Sequence, residues 1–155
     1  LLFSIANGKE RVVMALERTL AIIKPDAMEA RRAGAILARI EKEGFAVRGL
    51  RQLHLTRAQA EGFYAVHRGR PFFEELTTFM SRGPIVVMAL EAEGAVSRWR
   101  DVIGATDPAK AAPDTVRKLY GKNVGENAVH GSDSTATAAM EIGYFFPGCE
   151  VPPGA

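Results

Sequence analysis

Two stretches of this chain admit almost no polar residue: Thr19-Leu20-Ala21-Ile22-Ile23 and Ile85-Val86-Val87-Met88-Ala89-Leu90. A short continuous apolar run between turn signals reads as a strand buried within a sheet. Buried strands need cover, and the segments around these two carry helical patterns. The order along the chain is β-α-β-(helical hairpin)-β-α-loop-β-α, which predicts one sheet with helices packed on it. No internal repeat and no low-complexity stretch interrupts it.

The local signals set the expected boundaries. Pro25 holds Lys24 in extended geometry at the end of the first run. Ile36, Leu37 and Ile40 share a helical face, and Gly44 ends that helix. Phe45 to Leu55 alternates apolar residues with Arg48, Arg51 and His54, the pattern of a second strand. Thr56-Arg57-Ala58-Gln59 has capping-box spacing and predicts a helix through His67. Pro71 is expected in the first turn of a helix from Phe72 to Ser81. Val96, Trp99 and Ile103 mark another helix, which ends at Gly104. Residues 105–127, with Pro108, Pro113, Gly121 and Gly125, read as a long irregular loop, functional or disordered. Ala128-Val129-His130 forms a short fourth strand, and Gly131 to Ser134 turns into a last helix over Thr135 to Phe146. Pro147 ends that helix, and the Pro/Gly-rich tail is expected to be loosely held.

A length of 155 residues fits one domain. The formal charge is only +2, and Arg31-Arg32 is the longest basic pair, so no nucleic-acid-binding arm is expected. One cysteine, Cys149, excludes an intrachain disulfide and a Cys-based zinc site, and a reducing cytoplasm fits best. No apolar run reaches 18 residues, so no membrane span is expected. Leu1 to Ala6 is apolar but short, with Lys9-Glu10-Arg11 at once behind it, which makes a poor secretory signal. Met14 precedes the first well-formed strand. Residues 1–13 read as an upstream extension or start-site artefact, with a mature extension docked on the surface as the alternative; residues 14–155 form the single domain.

The chain holds no G-x-x-x-x-G-K-S/T, no G-x-G-x-x-G and no H-E-x-x-H, which removes the P-loop, Rossmann and zincin readings. What remains is Asn127-Ala128-Val129-His130-Gly131-Ser132-Asp133-Ser134. It puts a histidine at a strand end, before a glycine and a helix start. A helix N-terminus suits an incoming phosphate, and a neutral imidazole is a competent nucleophile near pH 7. Gly131 would remove a side chain that obstructs a close approach. A capping turn with an incidental histidine is the bland alternative. Lys24, Arg100, Thr106 and Arg117 lie near strand ends and loops and can converge on a phosphate chain, or can be ordinary surface residues. In Arg70-Pro71-Phe72-Phe73, a Phe at a helix start can stack on a nucleobase or belong to the core.

Taken together, residues 16–151 resemble the nucleoside diphosphate kinase family. His130-Gly131-Ser132-Asp133 within Asn127–Ser134 is similar to the family's active-site signature. Glu17-Arg18-Thr19-Leu20, Ile23-Lys24-Pro25-Asp26, Arg70-Pro71-Phe72-Phe73, Ser81-Arg82-Gly83-Pro84, Gly104-Ala105-Thr106-Asp107-Pro108 and Glu141-Ile142-Gly143-Tyr144-Phe145-Phe146 match in family order and spacing. The resemblance implies an α+β fold: a ferredoxin-like single-sheet core (βαββαβ) with an inserted helical hairpin and a C-terminal helix. It implies a ping-pong cycle in which a nucleoside triphosphate phosphorylates His130 and a diphosphate, ribo or deoxyribo, takes the phosphate. By position, Lys24, Tyr64, Arg100, Thr106, Arg117 and Asn127 resemble the phosphate and sugar contacts. Phe72 and Val124 resemble the pair around the base, with Leu76 nearby. Glu141 resembles the carboxylate that holds the histidine ring, and Ser132 its hydroxyl neighbour. Mg2+ would arrive on the nucleotide phosphates rather than in a protein metal site. The family also implies a homo-oligomer, tetramer or hexamer.

Three positions depart from the family pattern. Ala27 and Asp114 stand where glycine is usual, and Asp114 is expected to disturb the loop that carries Arg117. Trp99 stands where Asn is common. Two other readings compete. A nucleotide-binding regulatory module without turnover is opposed by intact His130, Lys24 and Glu141. A nucleic-acid-binding protein is opposed by the weak net charge.

Overall fold

The computed structural model describes residues 2–6, 9–148 and 150–151, with side chains from Met14 onward, Cys149 excepted. Strands β1 (Leu2–Ala6) and β2 (Lys9–Val13) pair with each other as an antiparallel hairpin, apart from the main sheet. The side chains of residues 1–13 lie outside the described residues, and so does the docked-extension alternative.

The main sheet has four antiparallel strands in the order β4-β5-β3-β6, where β3 is Leu16–Ile23, β4 Ala46–Leu53, β5 Ile85–Glu93 and β6 Val129–Gly131. Helices α1 (Pro25–Glu29) and α2 (Ala33–Lys42) join β3 to β4. The inserted helices α3 (Arg57–Phe63) and α4 (Phe73–Ser81) join β4 to β5. After β5 come α5 (Ala95–Ile103), α6 (Val116–Tyr120), β6 and α7 (Thr135–Phe145). This is the ferredoxin-like order, with the insertion and the final helix in the expected places.

The two apolar runs pair side by side, Thr19 opposite Leu90 through Ile23 opposite Val86. Their alternate residues enter two separate cores. Ala21, Ile23, Val86, Met88 and Leu90 pack with Ile36, Ile40, Trp99 and Ile103 under α2 and α5. Leu20, Ile22, Ile85, Val87 and Ala89 pack with Ala60, Phe79, Met80 and Phe145 under α3, α4 and α7. A strand covered on both faces leaves no position for a polar side chain, which is why the runs are unbroken. Each fully buried Leu or Ile contributes about 1.5–3 kcal/mol. β4 lies at the sheet edge and carries Arg48 and Arg51, charges that guard an exposed edge.

The structure corrects four expectations. Thr56 and Gln59 form the capping box, but α3 stops at Phe63 and a 3-10 turn over Ala65–His67 follows. Pro71 lies in a turn ahead of α4, and Phe72 is the N-cap rather than the first helical residue. The 105–127 segment is not wholly irregular: Thr115 starts α6, which brings Arg117 inward. The tail is packed at least to Val151, which is 8% exposed. A Cβ on Gly49 would lie 2.9 Å from Val151 and 3.0 Å from Phe146, so the glycine lets the tail lie against β4.

Candidate active site

His130 is the middle residue of β6 and pairs with Ile22 of β3. Its neighbours Val129 and Gly131 are buried, while the imidazole keeps 21% of its surface exposed. Glu141, on α7, reaches back to it: His130 Nε2 and Glu141 Oε2 are 2.5 Å apart. Ser134 caps α7 by accepting the Thr137 N–H at 3.1 Å, and the helix then carries Glu141 about two turns along the face that meets β6. A carboxylate only accepts, so Nε2 carries the hydrogen and Nδ1 is the nitrogen with a free lone pair. Phe63 stands edge-on to the ring at 5.8 Å and holds it from a third side.

The ring opens on a cavity of about 990 Å³. Lys24, Tyr64, Phe72, Leu76, Thr106, Arg117, Val124, Asn127 and His130 all line it, so residues spread over a hundred positions of sequence meet at one place. Lys24 donates to Asn127 Oδ1 at 2.7 Å, and the Asn127 amide donates to the Thr106 carbonyl at 3.0 Å. This chain of bonds ties the end of β3 to the loops before β6. Arg117 donates to the carbonyls of Gly104 and Val129, each at 3.0 Å, and its Nε is buried with no partner among the described residues. Burial lowers the Lys24 ammonium to about 8, helped by the Arg117 charge and opposed by Asp26. Burial likewise lowers Arg117 to about 10, with Arg100 adding to the effect and Asp133 opposing it. Two cations that burial and each other's neighbourhood leave poorly solvated, facing one cavity, form a site that favours an incoming anion. Burial and the nearby Glu141 charge push the Tyr64 hydroxyl up, so it stays a donor.

The far end of the cavity is different. Phe72 and Val124 stand 48% and 57% exposed on its walls, with Leu76 one turn beyond Phe72 on α4. Exposed apolar side chains facing one space suit a flat aromatic ligand. Arg82 closes this end with a fork to Glu29 at 2.9–3.0 Å and a bond to Glu126 at 2.5 Å, on the loop that holds Val124. Phe63, Arg82 and Glu126 were not singled out as site residues from sequence. Phe63 has no signal beyond its place beside Tyr64, Arg82 has only its place within Ser81-Arg82-Gly83-Pro84, and Glu126 has none apart from its pairing with Arg82.

Three expected site residues fall outside the cavity lining: Glu141, which reaches the site through the His130 ring, Arg100 and Ser132. Arg100 pairs with Asp133 and is near enough to Arg117 to act on its charge. Ser132 is fully buried and accepts the Leu20 N–H at 3.0 Å, with no bond to Glu141 or to the ring among the described residues. Two local expectations also change. None of residues 132–135 lines the cavity, so cationic side chains rather than the α7 N-terminus face the space beside His130. Gly131 makes room for Trp99, since a Cβ there would lie 2.7 Å from the indole.

A model of the nucleoside diphosphate kinase family matches residues 17–151. The chain belongs to the nucleoside diphosphate kinase family. It is 72% identical to a nucleoside diphosphate kinase of Sorangium cellulosum over 92% of its own length and 99% of the relative's. It is 60% identical to that of Syntrophotalea carbinolica, covering 88% and 99%. Among solved structures it resembles the Aquifex aeolicus enzyme with a TM-score of 0.87 at 48% identity, covering 89% of this chain and all of that one. It also resembles the Halobacterium salinarum enzyme in complex with CDP, with a TM-score of 0.85 at 34% identity, covering 90% and 93%. The protein is therefore a phosphotransferase that acts on nucleotides.

The departures from the family pattern now have physical readings. Ala27 is fully buried in the core under α2, where its methyl packs. Asp114 takes φ 67, the left-handed region a glycine would fill, and Asp is among the residues that tolerate it. Arg39 pins it by donating to the Asp114 carbonyl at 2.8 Å. Arg117 still lines the cavity, so the expected disturbance of its loop is not seen.

The Glu141 contact yields a prediction. Glu141→Gln keeps an acceptor for the Nε2 hydrogen but loses the charge that would stabilise a ring made cationic by phosphorylation. Single-turnover phosphorylation of His130 should slow by about 10²-fold with nucleotide affinity nearly unchanged. An unchanged rate would remove Glu141 from the mechanism while leaving His130 in it.

Proposed function

We propose that this protein transfers the terminal phosphate from nucleoside triphosphates to nucleoside diphosphates through a phosphohistidine at His130. The observation that carries the proposal is the pairing of an oriented imidazole with desolvated cations: Glu141 holds Nε2, and the ring faces a cavity lined by Lys24 and Arg117. In the first half-reaction Nδ1 attacks the γ-phosphorus. An N–P bond forms, the bridging P–O bond breaks, and the diphosphate leaves. In the second, a terminal oxygen of an incoming diphosphate attacks the same phosphorus and the N–P bond breaks. Nε2 keeps its hydrogen throughout, and Glu141 stabilises the cationic ring between the two steps. Lys24 and Arg117 hold the phosphate chain in line. Tyr64, Thr106 and Asn127 add donors and acceptors around phosphate and sugar. Arg100 adds a further cation once released from Asp133, and Ser132 steadies the strand by its bond to β3.

Lys24, Arg117, Thr106 and Asn127 bring no carboxylate to the phosphate-binding end. The carboxylates in the lining are Glu74, Glu75 and Glu126, on α4 and the Val124 loop. That donor set suits Mg2+ carried on phosphate oxygens and water, where it screens the charge on the transferring group. The Halobacterium relative with CDP supports a nucleoside diphosphate as the cavity's ligand. No helix among the described residues is long and apolar enough to cross a membrane. A cytoplasmic homo-oligomer, tetramer or hexamer, with residues 1–13 outside its catalytic domain, completes the reading.

The base end supplies the test. Phe72 and Val124 would grip the π-face that every base has and read no hydrogen-bonding edge. The kcat/KM values for ATP, GTP, CTP, UTP and their deoxy forms should fall within about one to two decades of one another. Strict selection of one base, unaffected by Phe72→Ala, would contradict this site.

A further inference from the structure

Trp99 lies on α5, outside the cavity, yet it touches the main chain of His130 from behind. Its side chain is fully buried, and its Nε1–H donates to the His130 carbonyl at 3.0 Å. Phe45 fixes the indole from the side, edge-on at 5.9 Å. Gly131 is what lets the ring come so near: a Cβ there would lie 2.7 Å from Cδ1 and 3.1 Å from Nε1. The strand held in this way is weak in its own right. β6 has three residues, sits at the end of the sheet and, among the described residues, pairs only with β3. Beyond that pairing, Arg117 donates to the Val129 carbonyl and Trp99 to the next one. Glu141 fixes which way the ring turns, but it cannot fix where the Cα stands.

We propose that Trp99 is a positioning residue for the nucleophile, in which the indole N–H and the ring seated on Gly131 set the depth of the His130 backbone beneath the phosphate cavity. The proposal rests on the reading that His130 accepts the phosphate. A displacement of about 1 Å at a reacting atom is enough to cost up to 10²-fold in rate, so a buried bond to the nucleophile's own carbonyl has leverage on turnover.

The test uses the full chain and single-turnover phosphorylation by saturating ATP. Trp99→Phe keeps an aromatic ring in the core and removes the N–H; it should slow phosphorylation on the order of tenfold while the Kd for ADP stays within about twofold. Gly131→Ala drives a methyl into the indole and should slow the same step. The double variant should be no slower than the slower single one, because the smaller phenyl ring leaves space for the methyl. Trp99 is the only tryptophan, so its indole N–H gives a single NMR signal, and that signal should shift when His130 is phosphorylated. A role confined to core packing predicts instead a lower melting temperature with the rate unchanged below it. Wild-type rates in Trp99→Phe, or losses that multiply in the double variant, would overturn the proposal. If Trp99→Phe does not fold, Gly131→Ala and the indole shift test the same contact, and a wild-type rate with an unmoved signal overturns it. Failure of the underlying reading looks different: His130→Ala would still take up label.

Discussion

His130→Ala should take up no phosphate from γ-labelled ATP and lose transfer activity by about 10⁴-fold or more, while still binding nucleotide. The size of the effect follows from the chemistry. A covalent cycle without its nucleophile must fall back on direct transfer between two nucleotides, and no other histidine lines the cavity. His54 is tied through Nε2 to the Ser81 carbonyl at 3.0 Å, and neither it nor His67 lines the cavity. Binding survives because Lys24, Arg117 and the Phe72–Val124 walls do not depend on the imidazole. Calorimetric titration with ADP alongside steady-state rates separates the two quantities. A variant that lost binding and turnover together would mean that His130 is structural.

Lys24→Met should lower kcat/KM by about 10²–10³-fold, because it removes a desolvated cation from the place where phosphate charge is carried. The pH dependence makes this prediction sharper. With its ammonium near 8, Lys24 loses its charge as the pH rises through that value. Wild-type kcat/KM should therefore fall above about pH 8, whereas Lys24→Met should be flat over the same range. The stability sign is the reverse. A lysine depressed from 10.5 to about 8 binds fewer protons in the fold than in the unfolded chain between those values, so this group's contribution to stability rises over that interval. The charge that serves phosphate binding thus destabilises the fold below pH 8. A basic limb that persists unaltered in Lys24→Met would assign the titration to another group.

What the chain discloses by itself follows from how local each signal is. The strands Leu20–Ile23 and Ile85–Leu90 are legible because burial on both faces excludes polar residues over a whole run. The α3 cap is legible because Thr56 and Gln59 sit three residues apart and bond reciprocally. Helix α6 is hidden, since five residues flanked by prolines and glycines carry too little periodicity to separate from loop. The placement of His130 against Glu141 needs only the α7 repeat, eleven residues of chain and a tight turn, and so it can be anticipated. The role of Gly131 cannot, because its reason is an indole more than thirty residues away in sequence. Arg100 shows the opposite limit: its type and position suit phosphate, but the structure pairs it with Asp133.

The most direct measurement is the chemical nature of the enzyme-bound phosphate. The protein incubated with γ-labelled ATP and freed of nucleotide should retain label that is lost in acid and survives alkali, as a phosphohistidine does. Peptide mapping should place it on His130, and added GDP should discharge it as GTP. Label that survives acid, maps to a serine or threonine, or stays on the protein when GDP is added would contradict a phosphohistidine cycle.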